Sequence, residues 1–266
     1  MRRPGLWLLP FAALLLALDG QFASAARPHV RSGRSTLSAS GAVNAASRSL
    51  VIETCGAGCS NVLLTADNFG ALGASTVTNN GATYCYGSIG VSPGTSMTGF
   101  TAANAEGSLD LGDTIAAKAQ TDAHNGYVQL QTMPSSANLT GLDLGGLILG
   151  PGVYHFKVDA SFNGNLTLDA YHDSSAIFVF QTGTTLVTSA NAIVTLVNGA
   201  QACNVYFAVG SSATLGANST ILGSVVAYMA ITTTHGTNVN GSLIALNAAV
   251  TLDTNILTPT GACAAP

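Results

Sequence analysis

The side chains that could carry acid–base chemistry fall mostly within one short stretch of the chain. Carboxylate pairs serve glycosidases as general acid and as nucleophile or base, and some polysaccharide-active enzymes such as pectin lyases are built on β-solenoids. Such enzymes also need basic groups, and Lys157 is the only one near this stretch. We therefore interpret its aspartates as turn-capping or solvated residues and predict no enzyme. The residues concerned are Asp143, Asp159, Asp169 and Asp173, with His155 and His172.

Patterns for nucleophilic catalysis or metal binding are missing from the sequence. No nucleophile-elbow motif supports a Ser/His/Asp triad. The spacing of Cys55 and Cys59 carries no redox or zinc signature, and histidines at metal-ligand spacing are missing. We accordingly predict neither a metal nor a cofactor.

A different pattern, made of short uncharged side chains, recurs in the C-terminal part of the chain. Residues 174–252 contain no Asp, Glu, Lys or Arg. Three similar tripeptides carry central threonines 18 and 19 residues apart, and two Gly-Ser pairs are 18 residues apart. A fixed period near 20 indicates one structural unit stacked on copies of itself. The tripeptides are Ala213-Thr214-Leu215, Ile231-Thr232-Thr233 and Val250-Thr251-Leu252, and the pairs begin at Gly223 and Gly241.

The elements that would position these threonines are short strands. Runs rich in Val, Ile, Leu and Thr are separated by Gly and Asn, which predicts strands joined by turns. The runs are too short to form the ~20-residue helix that spans a membrane. The repeating unit is therefore one turn of a β-solenoid with about three short strands.

One segment, Asp113 to Gln131, has the period of a helix. Asp113 is a plausible N-cap and Pro134 a stop signal. At ~1.5 Å per residue the helix would span several solenoid turns, so we expect it to cover one face along the axis. A helix packed end-on as a cap is the alternative. The expected apolar stripe consists of Ile115, Ala119, Ala123, Tyr127 and Leu130.

Composition and the N-terminus indicate an exported protein of one domain. The chain has 266 residues, of which 8% are charged, and Lys118 and Lys157 are the only basic residues after Arg48. So few basic residues exclude a nucleic-acid or anionic-membrane surface. We predict a secreted protein without membrane insertion. Residues 1–25 are predicted as a signal peptide, 26–48 as a disordered leader and 49–266 as the folded domain, with its helix at about 113–131.

The five cysteines leave the disulfide pattern open. Cys55 and Cys59 are close enough to bridge locally, and a bridge between Cys203 and Cys263 would tie the last turn to the body. Cys85 would then be a core thiol. The odd count makes every pairing a hypothesis.

Six segments, in order, resemble sequence hallmarks of the large microbial ice-binding protein family. Any one is a weak pattern, but the ordered set spans roughly residues 64–257 and is specific. The resemblance implies a right-handed β-solenoid of triangular cross-section, with a long α-helix packed alongside that interrupts the winding. It implies ice as the ligand, bound on one flat face. The segments are residues 87–95, 139–147, 152–156, 176–181, 198–205 and 209–216.

A solenoid face could match ice because its side chains form a grid. Equivalent residues of successive turns stack about 4.8 Å apart, and alternate residues of one strand lie about 6.5–7 Å apart. Threonine offers a methyl and a hydroxyl group on a stiff β-branched side chain.

The resemblance places short residues at the corner after the second strand of each turn, and the repeated threonines one strand earlier could extend that face. We expect a secreted monomer that adsorbs to ice and inhibits its growth and recrystallisation. A structural or adhesion module on the same fold is the alternative. The predicted ice-binding residues are Thr188, Asn191, Thr214, Ala217, Ser219, Thr220, Thr232, Thr234, Thr237, Asn238, Thr251 and Thr254.

Overall fold

The computed structural model describes residues 62–261 and 263, most of them in short strands and the turns between. The predicted signal peptide, the predicted leader, Cys55 and Cys59 lie outside the described residues. A 3-10 helix, Leu64–Asn68, comes first, and six strands follow. These are β1 (Phe69–Gly73), β2 (Thr76–Asn79), β3 (Tyr84–Cys85), β4 (Ser88–Val91), β5 (Ser96–Thr98) and β6 (Leu109–Leu111).

The helix α1 runs from Thr114 to Thr132 and follows β6. Asp113 is its N-cap, because its carboxylate accepts hydrogen bonds from the backbone N–H groups of Ile115 and Ala116. Pro134 stands just beyond its end. None of the helices within the described part of the chain is long and apolar enough to cross a membrane.

Seventeen further strands follow the helix, with a second 3-10 helix at Ala202–Asn204. They are β7 (Ala137–Asn138), β8 (Ile148–Leu149), β9 (Gly152–Phe156), β10 (Ala160–Phe162), β11 (Asn165–Asp169), β12 (Phe178–Thr182), β13 (Leu186–Thr188), β14 (Ile193–Val197), β15 (Val205–Val209), β16 (Ala213–Leu215), β17 (Thr220–Leu222), β18 (Ser224–Ala227), β19 (Ile231–Thr233), β20 (Asn238–Asn240), β21 (Leu243–Ala245), β22 (Val250–Leu252) and β23 (Ile256–Thr258).

The strands form three parallel sheets, which make the three sides of a triangular solenoid and confirm the predicted fold class. Each turn contributes one strand to each sheet in succession, so consecutive turns stack in register. Sheet A is ordered β6-β4-β1-β21-β18-β15-β12-β9-β7, sheet B β10-β13-β16-β19-β22-β2-β5, and sheet C β3-β23-β20-β17-β14-β11-β8.

The winding is discontinuous, as the family resemblance implies. The N-terminal strands β1, β2 and β3 pair with β21, β22 and β23 of the last turn. The chain then passes through α1 and resumes at the opposite end, where β7 pairs with β9. Residues more than 170 positions apart are therefore neighbours at this seam, for example Thr78 and Thr251.

Two apolar clusters stabilise the architecture. One fills the solenoid interior, where Phe156, Phe180 and Phe207 are buried. The other lies between α1 and the outer side of sheet A, so the helix covers one face along the axis as predicted. Burial of this apolar surface is the main favourable contribution to folding. The sheet-A residues beneath the helix are Val179, Tyr206, Ala208, Val226 and Ile244.

The helix stripe differs from the prediction at one residue. Ala119, Ala123 and Leu130 are buried and Tyr127 is partly buried, but Ile115 is 58% exposed. Ala116 is buried instead, because the contact face starts one residue later along the first turn. Small side chains on this face let the helix approach the sheet closely.

Two cysteines within the described residues form a disulfide, and a third is free. Cys203 and Cys263 are bonded across a sequence separation of 60, which ties the chain end to the body. Cys85 is a buried thiol whose pKa is raised by burial to about 11. Both findings agree with the pairing that was considered from the sequence.

Candidate functional site

The outer side of sheet B carries one continuous line of threonines. In β16, β19 and β22 the central residue points outward between two buried neighbours, as in the exposed Thr232 between Ile231 and Thr233. The pairing of successive strands places these residues directly beside one another. The line, which we name the threonine column, consists of Thr214, Thr232, Thr251, Thr78 and Thr98. Val187 and Ser161 continue it at one end.

A second column of short residues lies two positions earlier along the same strands. Backbone hydrogen bonds between neighbouring strands extend the same pairing to these residues. For example, the Ile231 N–H donates to the Ala249 carbonyl at 3.0 Å. All of them are at least partly exposed. The second column consists of Thr185, Ser212, Ala230, Ala249, Thr76 and Ser96. We call the two columns together the threonine face.

The chemistry of the threonine face is uniform and neutral. Its columns contain no charged residue, and the column spacing is that of alternate residues on a strand, about 6.5–7 Å. Within the described part of the chain, the hydroxyl groups of Thr214, Thr232 and Thr251 have no hydrogen-bond partner in the protein. They are therefore available to water, with their methyl groups held beside them by the β-branch.

Three of the predicted contact residues are buried and leave the candidate site. Thr188, Ser219 and Thr237 are 4%, 0% and 0% exposed. Each points into the solenoid at the corner between sheets B and C, where its hydroxyl bonds to backbone groups. Strand alternation turns Thr188 inward at the end of β13. Ser219 and Thr237 lie in the corner turns just before β17 and β20, where both hydroxyls donate to the Gly216 carbonyl.

Four other predicted residues lie on the rim at the corner between sheets B and C. Asn191 is exposed, whereas Ala217, Thr234 and Thr254 are partly buried. Asn191 and Thr254 adopt positive φ angles of 59° and 53°, so their backbone makes the corner turns. The hydroxyl of Thr234 donates to the Leu215 carbonyl at 2.9 Å and is thus occupied within the protein.

The two remaining predicted residues, Thr220 and Asn238, lie on sheet C. They pair with each other in β17 and β20 and are flanked by the exposed Ile193 and Ile256. This side of the triangle faces away from the threonine column. Of the twelve predicted residues, the structure therefore brings only Thr214, Thr232 and Thr251 onto the threonine face.

Sequence reasoning missed the N-terminal contribution to this face. The run Ser75-Thr76-Val77-Thr78 has clear strand alternation, and Ser96-Met97-Thr98 repeats it. This signal indicated strands but not their neighbours. Only the seam between β2 and β22 adds these residues to the C-terminal threonines.

Three of the four clustered aspartates, Asp143, Asp169 and Asp173, cap turns, and the fourth, Asp159, is exposed, so the cluster has the turn-capping and solvated roles predicted for it. Asp169 accepts hydrogen bonds from the backbone of Tyr171 and the side chain of Asn198, and these lower its pKa. Hydrogen bonds from Ser175 lower the pKa of Asp173. Burial raises the pKa of Asp143, but hydrogen bonds led by the Asn163 backbone outweigh it and leave the pKa below its usual value.

Lowered values keep these carboxylates ionised at neutral pH, whereas a general acid needs a raised pKa. No group of three or more His, Cys, Asp or Glu residues among the described residues is placed to hold a metal ion.

Comparison with known proteins agrees with the geometry. A family model described as Ice-binding-like matches residues 71–258. An ice-binding protein of Nostoc sp. (strain HG1) is 48% identical over 196 residues, which are 73% of this chain and 72% of that protein.

Solved structures show the same relationship. The crystal structure of an ice-binding protein from the Antarctic ascomycete Antarctomyces psychrotrophicus superposes with a TM-score of 0.71 at 40% identity, over 73% of this chain and 96% of that one. An ice-binding protein from an Antarctic biological consortium gives 0.71 at 38% identity, over 74% and 89% of the two chains. With its sequence and its three-sheet fold both matched, this chain belongs to the ice-binding-like family.

Proposed function

We propose that this protein adsorbs to ice through the threonine face and thereby inhibits ice growth and recrystallisation. The observation that carries the proposal is the alignment of five threonines across five successive strands of sheet B. Related proteins that match most of the chain are named for ice binding, which supports the same function.

The physical basis is a repeated, rigid and uncharged surface. Parallel strands fix the spacing between turns at about 4.8 Å, and the strand repeat fixes the spacing between columns. Methyl groups can order water around them while neighbouring hydroxyls anchor it. A charged side chain would instead hold its own hydration shell, and the face has none.

Secretion, a monomeric state and the lack of catalysis are part of the same proposal. The N-terminal residues that resemble a signal peptide support secretion. The protein would act as a monomer and without catalysis, because an adsorbed face needs only to contact the crystal. In support of this, Asp143, Asp169 and Asp173 accept turn hydrogen bonds and are not paired as acid and base.

The test replaces Thr232, in the centre of the threonine column, by tyrosine. The bulky ring should lift neighbouring side chains off the crystal and abolish thermal hysteresis and inhibition of recrystallisation in a frozen sucrose film. The matched control is Thr195→Tyr, which places the same ring on sheet C. Equal activity of the Thr232→Tyr variant and the wild type would contradict the proposed face.

A second variant tests the part of the face contributed by the N-terminus. Thr78 stands beside Thr251 across the seam, so Thr78→Tyr should reduce activity as strongly as Thr232→Tyr. Full activity of Thr78→Tyr would restrict the contact surface to the C-terminal turns. Circular dichroism of each variant checks that the fold is retained.

A further inference from the structure

A ladder of buried polar side chains lies directly behind the threonine face. At the inner end of the sheet-B strands, Thr188, Thr233 and Asn79 point inward and are 4%, 2% and 6% exposed. The equivalent positions in the turns between them hold Leu215 and Leu252, which are fully buried. Leucine therefore fits this corner, so the polar residues are not needed to fill space.

Asn255 is the centre of this buried network. It is 1% exposed, and its side-chain carbonyl accepts from the Thr233 hydroxyl at 2.6 Å and from the Asp253 N–H at 2.8 Å. Its amide donates to the Thr234 carbonyl at 2.9 Å. Its backbone N–H donates to the Thr83 hydroxyl at 3.0 Å. Asn255 thus makes four direct hydrogen bonds to other residues of the protein.

These contacts join the strands that carry the face. Thr233 follows Thr232 in β19 and its hydroxyl also lies 3.3 Å from the Thr251 carbonyl in β22. Thr83 belongs to the N-terminal turn, 172 residues away from Asn255. The network therefore links two C-terminal turns to the turn across the seam. A buried hydrogen-bonded network of this kind favours one arrangement of its members.

We infer that Asn255 and Thr233 are positioning residues for ice adsorption: their buried hydrogen bonds hold Thr232, Thr251 and Thr78 in one flat register. This inference rests on the proposed function. A recognition surface needs its groups held within about 0.5 Å by supporting contacts behind them. The seam is where that support matters, because no continuous chain runs from β22 to β2.

The experiment compares two substitutions at Thr233. Thr233→Val keeps the shape of the side chain and removes the hydroxyl, whereas Thr233→Ser keeps the hydroxyl and removes the methyl. The concentration needed for half-maximal recrystallisation inhibition should rise roughly fivefold for Thr233→Val, the factor that one ordinary hydrogen bond carries. Thr233→Ser should stay close to the wild type.

A stability control separates positioning from general destabilisation. Val226 is buried beneath α1 on sheet A, so Val226→Ala should lower the melting temperature without disturbing the threonine face. Fluorescently labelled protein on a single ice crystal adds a second readout. Thr233→Val should decorate different or fewer crystal planes than the wild type, and Val226→Ala should keep the wild-type pattern.

The outcomes distinguish the two proposals. A folded wild type without ice activity would overturn the proposed function and this inference with it. An active wild type together with a fully active Thr233→Val would overturn the positioning role alone. So would equal losses in Thr233→Val and Thr233→Ser, or a loss no larger than that of Val226→Ala, since packing or stability would then account for the effect.

Discussion

Neighbouring residues of the same type have opposite tasks in this protein. Thr232 presents its methyl and hydroxyl groups to solvent, whereas Thr233 is buried and donates to Asn255. The alternation of a strand makes this division, because successive side chains leave opposite faces. The position of a threonine in the strand, not its identity, therefore decides whether it is exposed to solvent or buried in a hydrogen bond.

Asp67 provides a residue-scale prediction about pH. It is buried in the first 3-10 helix, and burial raises its pKa to about 7. An aspartate in the unfolded chain ionises near pH 4, so between about pH 4 and 7 the folded state holds more protons. Stability from this group therefore falls as pH rises through that window, by about 2–3 kcal/mol between pH 5 and 8.

The measurement is urea unfolding of the wild type and of Asp67→Asn at several pH values. The variant should lose this part of the pH dependence and be the more stable protein at pH 8. Asp159→Asn, at an exposed position, is the control and should retain the wild-type profile. A steep rise of stability from pH 5 to pH 8 would contradict the argument.

The helix and the sheets divide the surface at the element scale. α1 covers the outer side of sheet A, which leaves sheets B and C as the exposed sides of the triangle. Among the described residues, only sheet B combines the threonine column with an absence of large apolar side chains near its centre. Sheet C exposes Ile148, Ile193 and Ile256 among its polar residues and has no repeated column of one type.

Gln181 joins the helix to the sheet, and its replacement tests that joint. Its buried side-chain amide donates to the carbonyls of Leu130 and Met133 at 2.7 and 2.8 Å, at the end of α1. Gln181→Leu leaves both carbonyls without this donor and should reduce the unfolding free energy by roughly 1–3 kcal/mol. Chemical denaturation measures it.

Thr121→Val is the control for Gln181→Leu. Thr121 is exposed on the helix and its hydroxyl bonds only within the helix, to the Ala117 carbonyl. Its replacement should change stability by no more than about 0.5 kcal/mol. Ice activity near 0 °C should survive both changes, because neither touches sheet B. Equal stability of the two variants would argue against the proposed role of Gln181.

At the scale of the whole molecule, the discontinuous winding packs the two ends of the described chain against each other. The N-terminal turn stacks on the C-terminal one, and the Cys203–Cys263 disulfide fastens the end that follows β23. The disulfide spans a sequence separation of 60 residues and encloses the nine strands from β15 to β23. Constraint of the unfolded chain is the usual source of its stabilisation.

Removal of this disulfide is the prediction at that scale. The double variant Cys203→Ser/Cys263→Ser should be roughly 2–4 kcal/mol less stable than the oxidised wild type. Thermal unfolding with and without reductant checks it, since reductant should destabilise the wild type and leave the variant unchanged. An identical melting temperature for the variant and the oxidised wild type would count against the bond as a stabilising constraint.

Local sequence patterns determined the fold class and the main elements of this protein. The period near 20, the short apolar runs and the near absence of charge predicted a β-solenoid, and the 3.6-residue period of residues 113–131 predicted the helix that lies along it. The solenoid strands and the helix both depend on residues that are close together in the chain. The ordered motifs indicated the protein family. These features can be predicted from the sequence because each repeat must bury the same face and so repeats the same pattern of residues.

Tertiary structure alone decided which threonines form the candidate face. Thr188, Ser219 and Thr237 matched the expected corner pattern but point inward, where their hydroxyls form hydrogen bonds with backbone groups of the corner. Thr78 and Thr98 became neighbours of Thr251 only through a seam between distant segments. The 18- and 19-residue spacing already aligned Thr214, Thr232 and Thr251. The inward turn at the corners and the stacking across the seam depend instead on the packing of the whole solenoid.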